Sequence, residues 1–321
     1  MISVYHVLLY FAKRIPYEKG VFHLMTYQEF KNNILQTISV ELGPTYRISI
    51  QDIIKNNDTH LDGLTILSEN SNISPTIYLN YYYEQFLSNH SFSSVVEDIL
   101  DSYHQNAPKE NIDIRFFTDF DNVKNRIIFK LVNYDRNREL LTKVPHIKYL
   151  DLALVFNCFI ESTPQNCATI LIHYHHLTFW NISAEELYRL ALKNTPELLP
   201  YQIQNMTEIV SDLFHDNFSE LFNQTFCTSP MYVLSNITKL NGSGCILYED
   251  LLSDIAEKIG SDFYIIPSSV HEVLLIPTSY ATSYDELCSM VKEINASQLT
   301  REEVLSDSVY YYSRILGKIT M

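Results

Sequence analysis

The stretch DFYIIPSSVHEVLLIP (residues 262–277) decides the fold. Its two apolar runs flank a short, mostly polar segment, and this pattern predicts two antiparallel strands joined as a hairpin. A helical segment, EDLLSDIAEKI, precedes the hairpin and ends at Gly260, a residue type that commonly ends helices. A second helix follows the capping pattern Ser283-Tyr-Asp-Glu286, and SDSVYYYSRILGKI closes the chain as a strand.

The order of elements in this C-terminal part indicates an α+β fold. Upstream of the first helix, the predicted strands MYVLSN and GCILY flank the turn NGSG. The resulting order, ββαββαβ, predicts antiparallel sheets with packed helices. A doubly wound parallel sheet would require strict alternation of strand and helix.

The N-terminal part predicts a separate αβββαα unit over residues 25–106. The segment 25–41 places apolar residues at helical spacing. Three strands follow, in YRISIQDII, LDGLTIL and SPTIYL, and then two helices that separate near His90. The polar segment NAPKEN is the predicted linker, so that residues 111–321 form a larger α+β unit.

The middle of the chain predicts mixed elements. Residues 111–117 have the pattern of a strand, and residues 119–141 have that of an amphipathic helix. A long hairpin is predicted next, with the arms IKYLDLALVFNCFI and ATILIHYHHLTFW. Helices are then predicted in AEELYRLALKN and over about 206–222.

The first 24 residues carry an apolar run, Val4 to Ala12, that is followed by positive charges. A secretory signal has the opposite order, and the run is shorter than the roughly 20 residues that span a membrane. We expect Met25 to be the true start and residues 1–24 to be a non-native or flexible extension. The alternative is a short docking or membrane-surface helix.

The composition excludes some classes of partner. Of the 321 residues, 46% are hydrophobic, which allows a sizeable core. The formal net charge is −15 and no basic stripe stands out, so nucleic acid and membrane surfaces are poor partners. The five cysteines form no CxxC pair, which argues against structural zinc and a disulfide framework. Scattered thiols of this kind suit a reducing, cytoplasmic location.

The strongest chemical signal is the histidine-rich segment ILIHYHHLTFW (170–180). In a strand, His173 and His175 would share one face and His176 would lie on the other. The pair His173 and His175 is then a weak candidate for two metal ligands, because no spacing identifies a third. Alternatively, His175, His176 and Trp180 form the edge of a binding pocket, or all are ordinary partly buried residues.

Other motifs fit structural roles better than catalysis. The pair at 271–272 lacks the second histidine of HExxH and falls in the predicted hairpin, although His271 stays a candidate binding residue. The D-x-D pair at 119–121 is typical of a helix start. The GSG segment at 242–244 falls in a predicted turn rather than at a nucleophile elbow. No phosphate-binding or dinucleotide motif occurs, so no cofactor is predicted.

Tyrosine is abundant, with 23 residues that include the dense segments NYYYEQF and VYYYS. A tyrosine side chain buries a large area and keeps a polar tip, which suits recognition surfaces. Core packing explains part of this content. Any exposed remainder would mark a surface that contacts a protein partner.

Several segments together carry a family resemblance. They are NNDTHLDGLTI, NISPTIYLN, IRFFTDFDNVKNRIIFKLVNY, VPHIKYLDLALVF, ATILIHYHHL, LKNTPELLP, IGSDFYIIPSSVHEVLLIP and EEVLSDSVYYY. From Met25 to its end, the chain resembles an uncharacterised family of clostridial (Firmicutes) gut bacteria, known only as a domain of unknown function. Its tail is more distantly similar to the bacillar YtpQ-like proteins. The resemblance implies a bacterial, cytoplasmic α+β protein and lends no catalytic residue.

Two functional hypotheses follow. The first is a non-enzymatic protein-binding or adaptor protein, indicated by the acidic, tyrosine-rich composition and the absence of a catalytic constellation in the sequence. The second is an enzyme or ligand-binding protein with a His-lined pocket around residues 173–180, such as a metal-assisted hydrolase. The identity of the partner and the oligomeric state stay open at this point.

Overall fold

The computed structural model describes residues 25–88, 90–107, 114–162, 167–213, 230–281 and 283–321. The predicted extension over residues 1–24 lies outside the described residues. So do part of the predicted linker and the end of the predicted helix over about 206–222.

The fold is α+β with antiparallel sheets, which confirms the predicted class. The described α-helices are α1 (Tyr27–Leu42), α2 (Leu79–Leu87), α3 (Phe92–Asn106), α4 (Phe120–Val123), α5 (Arg138–Lys143), α6 (Tyr174–Trp180), α7 (Ala184–Leu198), α8 (Met206–Leu213), α9 (Leu251–Ile259) and α10 (Tyr284–Ser297). None of these helices is both long and apolar enough to span a lipid bilayer.

The strands of the described ranges follow in chain order. They are β1 (Tyr46–Lys55), β2 (Thr59–Ser68), β3 (Thr76–Tyr78), β4 (Ile127–Asn133), β5 (His146–Tyr149), β6 (Leu152–Ser162), β7 (Cys167–Leu171), β8 (Tyr201–Asn205), β9 (Tyr232–Asn236), β10 (Phe263–Ile266), β11 (Val273–Pro277), β12 (Tyr310–Ser313) and β13 (Lys318–Thr320). The described chain forms two compact units. One contains residues 25–55 and 59–107, and the other contains residues 56–58 and the described residues from 116 onward.

In the first unit, helices α1, α2 and α3 cover one face of the sheet β1-β2-β3. The predicted αβββαα order is therefore confirmed. α1 begins with a capping box, in which the Thr26 hydroxyl accepts the Glu29 N–H and the Glu29 carboxylate accepts the Thr26 N–H. Phe30 is fully buried, and its ring packs 5.2 Å from the Tyr83 ring, between centroids.

The second unit contains two antiparallel sheets. In one, β6 pairs with β4 along one edge and with β5 and β7 along the other. The other sheet has the order β13-β12-β10-β11-β9-β8. Side chains from both sheets share one apolar core, which includes the buried rings of Phe129, Phe156 and Phe263. Leu187 of α7 and Ile255 of α9 pack into this same core.

The predicted helix over residues 119–141 is wrong over most of its length. Only Phe120–Val123 is α-helical at its start, and Ile127–Asn133 forms the strand β4. All but one residue of β4 is buried, so its sequence IIFKLVN is an apolar run without two-residue alternation. Such a run cannot be distinguished from a buried helix by periodicity.

Two predicted strands are also corrected. Ile114–Thr118, which overlaps the end of the predicted strand NIDIRFF, forms a 3₁₀ helix. Gly242–Leu247, which contains most of the predicted strand GCILY, forms another. At Gly242 a Cβ would lie 2.1 Å from the Ser235 Oγ and 2.6 Å from the His271 carbonyl oxygen. This segment therefore turns tightly against β9 and the β10–β11 connection instead of pairing as a strand.

Candidate functional site

The histidine-rich segment leaves its sheet earlier than predicted. β7 ends at Leu171, the N–H of Ile172 makes a last bond to the Phe156 carbonyl (2.9 Å), and α6 then begins at Tyr174. The prediction of a strand that continues to Trp180 is therefore wrong. At the turn, the His173 N–H donates to Nδ1 of the His176 ring at 3.0 Å. This local bond from backbone to side chain competes with the strand ladder and favours the helix.

Because residues 174–180 form a helix and not a strand, the predicted site residues point in different directions from those expected. Tyr174, His175, Thr178 and Phe179 are exposed, whereas Leu177 and Trp180 are buried. His173 and His176 are intermediate in exposure. The prediction that His173 and His175 share one face of a strand is therefore wrong. The histidines lie instead around the first turn of a helix.

The three imidazoles lie close together at the start of α6. The centroids of His175 and His176 are 4.0 Å apart, those of His173 and His175 are 5.4 Å apart, and those of His173 and His176 are 5.7 Å apart. The His176 ring is also nearly perpendicular to the Phe117 ring, 4.9 Å away between centroids, and lies 5.6 Å from the Trp180 ring. The structure thus places the rings of His175, His176, Trp180 and Phe117 in one cluster at the start of the helix, although a strand would have put His175 and His176 on opposite faces.

Trp180 anchors this cluster to the preceding segment of the unit. Its indole N–H donates to the Phe117 carbonyl at 2.9 Å, which satisfies the polar atom of a buried tryptophan. Its ring lies 5.0 Å from Phe117 and 5.9 Å from Phe120. The 117–120 segment is therefore held against the inner side of α6.

The surroundings of His173 and His176 disfavour the charged form of both imidazoles. Burial, followed by the neighbouring His175 and His173, lowers the pKa of His176 to about 4. Burial and His175 also lower the pKa of His173, although a hydrogen bond to the Lys143 backbone opposes that shift. Because Nδ1 of His176 accepts a backbone N–H, the ring proton of the neutral form lies on Nε2.

This arrangement does not suit a metal centre. A metal-bound imidazole gives one nitrogen to the metal and donates the N–H of the other to an acceptor. Nδ1 of His176 is already an acceptor, so its Nε2 carries the proton and has no lone pair to offer. Across the described ranges, no group of three or more His, Cys, Asp or Glu side chains is placed to hold a metal ion.

His271, the remaining predicted binding residue, lies in the β10–β11 connection. Its Nδ1 accepts the Asn241 N–H at 3.3 Å, and its own N–H donates to the Ser269 hydroxyl at 3.0 Å. Burial lowers the pKa of its ring. These bonds give His271 a structural role in the turn around Gly242, a different segment from α6.

Sequence reasoning missed a cavity of about 300 Å³ elsewhere in the second unit. Its lining comes from β8, α8, β9 and α9: Tyr201, Ile203, Gln204, Asn205, Glu208, Tyr232, Ile255, Lys258 and Ile259. No motif could identify it, because each element contributes only a few of these residues. Sequence reasoning also missed the exposure of Phe179, since the helical faces of α6 were not foreseen.

Comparison with known proteins gives one family and no individual relative. No curated protein and no solved structure matches the chain. A family model described as a family of unknown function, DUF5688, matches residues 27–314. That range covers most of the described chain and contains the whole α6 cluster. The chain therefore belongs to the DUF5688 family.

Proposed function

We propose that this protein is a non-enzymatic binding or adaptor protein that contacts a protein partner through the outer face of α6. The observation that carries the proposal is the exposure of two aromatic side chains on one short helix. Phe179 is 63% exposed and Tyr174 is 45% exposed. A bacterial, cytoplasmic setting, which the family resemblance implies, is part of this proposal.

The exposed residues of α6 form one continuous face. At about 100° per residue, Tyr174, Thr178, His175 and Phe179 lie in that order within an arc of roughly 140°. Leu177 lies on the opposite side and is buried in the core of the second unit. The outer face can therefore be covered by a partner without disturbing the core.

The outer face of α6 is also poor in charge-bearing side chains. The helix sequence YHHLTFW contains no Asp, Glu, Lys or Arg. The next helix, α7, carries Glu185, Glu186 and further charges in its sequence AEELYRLALKNTPEL. Uncharged aromatic residues cost little to desolvate and are enriched at the centres of protein interfaces.

The face is rigidly supported. The Trp180 indole bonds to Phe117, and the αL residue Asn181 ends the helix with φ of 56°. A partner would therefore meet a pre-formed surface and pay little ordering entropy. The hydrolase alternative is not proposed, because the proton on Nε2 of His176 leaves this cluster without a metal-binding set.

The test is site-specific photo-crosslinking in cells that make the protein. A benzophenone amino acid replaces Phe179 in the full chain, and a matched chain carries it at Ile237, which is 56% exposed on the same unit. We expect a discrete protein adduct from position 179 and none of the same mass from position 237. Equal adducts at both positions, or none at position 179, would overturn the proposal.

Affinity measurements then distinguish a direct contact at Phe179 from mere proximity to the partner. With the captured partner purified, Phe179→Ala should weaken binding roughly tenfold or more, as expected for a hot-spot aromatic. Ile237→Ala should leave the Kd within about twofold. A Phe179→Ala protein that binds as tightly as the unchanged chain would contradict the assignment of α6 as the contact surface.

A further inference from the structure

We propose that acid releases the α6 surface: protonation of His176 breaks the hydrogen bond at the start of the helix and frees α6 from the Phe117 segment. The biological consequence, loss of partner binding at low pH, rests on the proposed function. The structural transition itself does not require a partner.

The hydrogen bond to His176 is compatible with only one protonation state. The His173 N–H points at Nδ1 of His176 at 3.0 Å, so Nδ1 must offer a lone pair. An imidazolium carries hydrogen on both nitrogens, and protonation would place two N–H groups against each other. The first turn of α6 would then lose the hydrogen bond that stabilises the turn between the end of the strand β7 and the start of the helix.

The surroundings of His176 oppose a positive charge. It lies 4.0 Å from the ring of His175 on α6 and 5.7 Å from that of His173, the residue before the helix, between centroids. From the end of α5, Lys143 contributes a hydrogen bond to His173 through its backbone, and its ammonium group pairs with Glu139. The Phe117 ring lies 4.9 Å from the His176 ring, between centroids, and is nearly perpendicular to it, so this side adds no carboxylate.

The acidic residues near the Phe117 segment are engaged elsewhere. The Asp119 carboxylate accepts the Asp121 N–H at the start of α4, and Asp121 pairs with Lys124 at 2.7 Å. Within the described chain, no carboxylate accepts a hydrogen bond from His173, His175 or His176. No carboxylate in that part of the chain is therefore placed to stabilise an imidazolium in the closed helix.

In the open state, in which α6 is free of the Phe117 segment, His176 binds a proton more readily than in the closed state that the structure shows. An imidazole in an open chain has a pKa of about 6.5, whereas burial and the two neighbouring histidines lower that of His176 to about 4. Between these values the open form binds more protons, so acid shifts the equilibrium towards it. Between pH 7 and pH 4 the shift is on the order of 100-fold in the open-to-closed ratio.

Trp180 provides a local optical probe, because it is the only tryptophan in the chain. It is 7% exposed, and its ring lies 5.6 Å from that of His176. We expect its emission to shift to longer wavelength, with a midpoint between pH 4 and pH 6, while the far-UV circular dichroism of the full chain stays nearly constant. No shift above pH 4, or one that coincides with loss of circular dichroism, would overturn the proposal.

The decisive variant is His176→Gln. A glutamine at the third helical position can accept the N–H of the residue before the helix, as in a capping box, but does not titrate. This variant should keep the closed emission down to pH 4. His146→Gln, a matched loss of a histidine on β5 that packs 6.1 Å from Tyr134, should titrate as the unchanged protein does. A His176→Gln protein that titrates as the unchanged protein does would overturn the proposal.

The unchanged protein supplies a second test if His176→Gln does not fold. Nitrogen-15 spectra of labelled histidine should show His176 as the Nε2–H tautomer at pH 7, and a different tautomer would overturn the mechanism. The fluorescence titration is independent of any partner. A failed titration with position-179 crosslinking intact rejects acid release alone, whereas a normal titration without crosslinking rejects the proposed function alone.

Discussion

The buried Tyr310 hydroxyl donates a hydrogen bond to the Asp151 carboxylate. Tyr310 begins β12, and Asp151 lies in the turn between β5 and β6. The hydroxyls of Ser306 and Ser308 donate to the same carboxylate at 2.6 and 3.3 Å. One acidic side chain therefore ties the segment that leads into β12 to the other sheet of the second unit.

Removal of the Tyr310 hydroxyl tests this tie. Burial and the charge of Asp151 raise the pKa of Tyr310, so the phenol stays a donor at every pH of interest. Tyr310→Phe should lower the free energy of unfolding in urea by about 2 kcal/mol, as expected for a bond to a charged group. The matched variant Tyr174→Phe, at an exposed tyrosine, should change it by less than about 0.5 kcal/mol. Equal effects of the two variants would show that Asp151 does not depend on this donor.

Parts of the fold with local signals were predictable from the sequence. The hairpin β10–β11 follows from two apolar runs around a turn, and in the structure Phe263 pairs with Pro277. The Ser283 hydroxyl caps α10 by accepting the Glu286 N–H, as the spacing of these residues predicts. Each of these signals lies within a few residues of the structure that it specifies.

The errors concern one segment whose partner is distant in the sequence and one whose local bond is not a recognised helix signal. β4 is a strand because β6 pairs with it along its whole length, and no local feature of IIFKLVN indicates this partner. α6 is short, and its first turn depends on a bond from the His173 backbone to the His176 ring. Histidine at this position is not a recognised cap, so the exposed face of the candidate site could not be predicted.

Gly242→Ala tests the close approach that excludes a strand at residues 242–247. The added methyl group would lie 2.1 Å from the Ser235 Oγ and 2.6 Å from two backbone atoms, so the backbone must move. We expect a loss of stability of about 3 kcal/mol, at the upper end of the usual cost of overpacking. The comparison is Gly317→Ala, where nothing lies within 4 Å and only the positive φ of 59° opposes the substitution. That variant should cost about 1 kcal/mol, and a larger cost there than at Gly242 would contradict the argument.

The two large aromatic residues at the end of α6 should behave in opposite ways. Trp180→Phe removes the N–H that bonds to the Phe117 carbonyl and should cost about 1–2 kcal/mol in thermal or urea unfolding. Phe179→Ala, at a side chain that is 63% exposed, should stay within about 0.5 kcal/mol of the unchanged protein. A residue that is dispensable for folding but required for partner binding is the expected signature of a contact surface. Large destabilisation by Phe179→Ala would instead place that ring in the packing of the unit.

The global stability of the protein should fall with acid through its buried histidines. Burial lowers the pKa of His271, whose Nδ1 accepts the Asn241 N–H, and the pKa of His176 is lowered to about 4. Below about pH 6.5 the unfolded chain therefore binds more protons than the folded chain, and each such histidine lowers the free energy of unfolding by up to about 1.4 kcal/mol per pH unit. Stability is not lost at a pH above the pKa that the histidine has in the unfolded chain. The loss stops increasing once the pH falls below the pKa of the same histidine in the folded protein. Urea unfolding at pH 7.5, 6 and 5 measures this loss of stability.

His271→Asn places an amide oxygen near the position of Nδ1 and should make the free energy of unfolding less dependent on pH. His146→Asn should leave that dependence unchanged. Equal slopes for both variants would show that the turn around Gly242 does not sense pH.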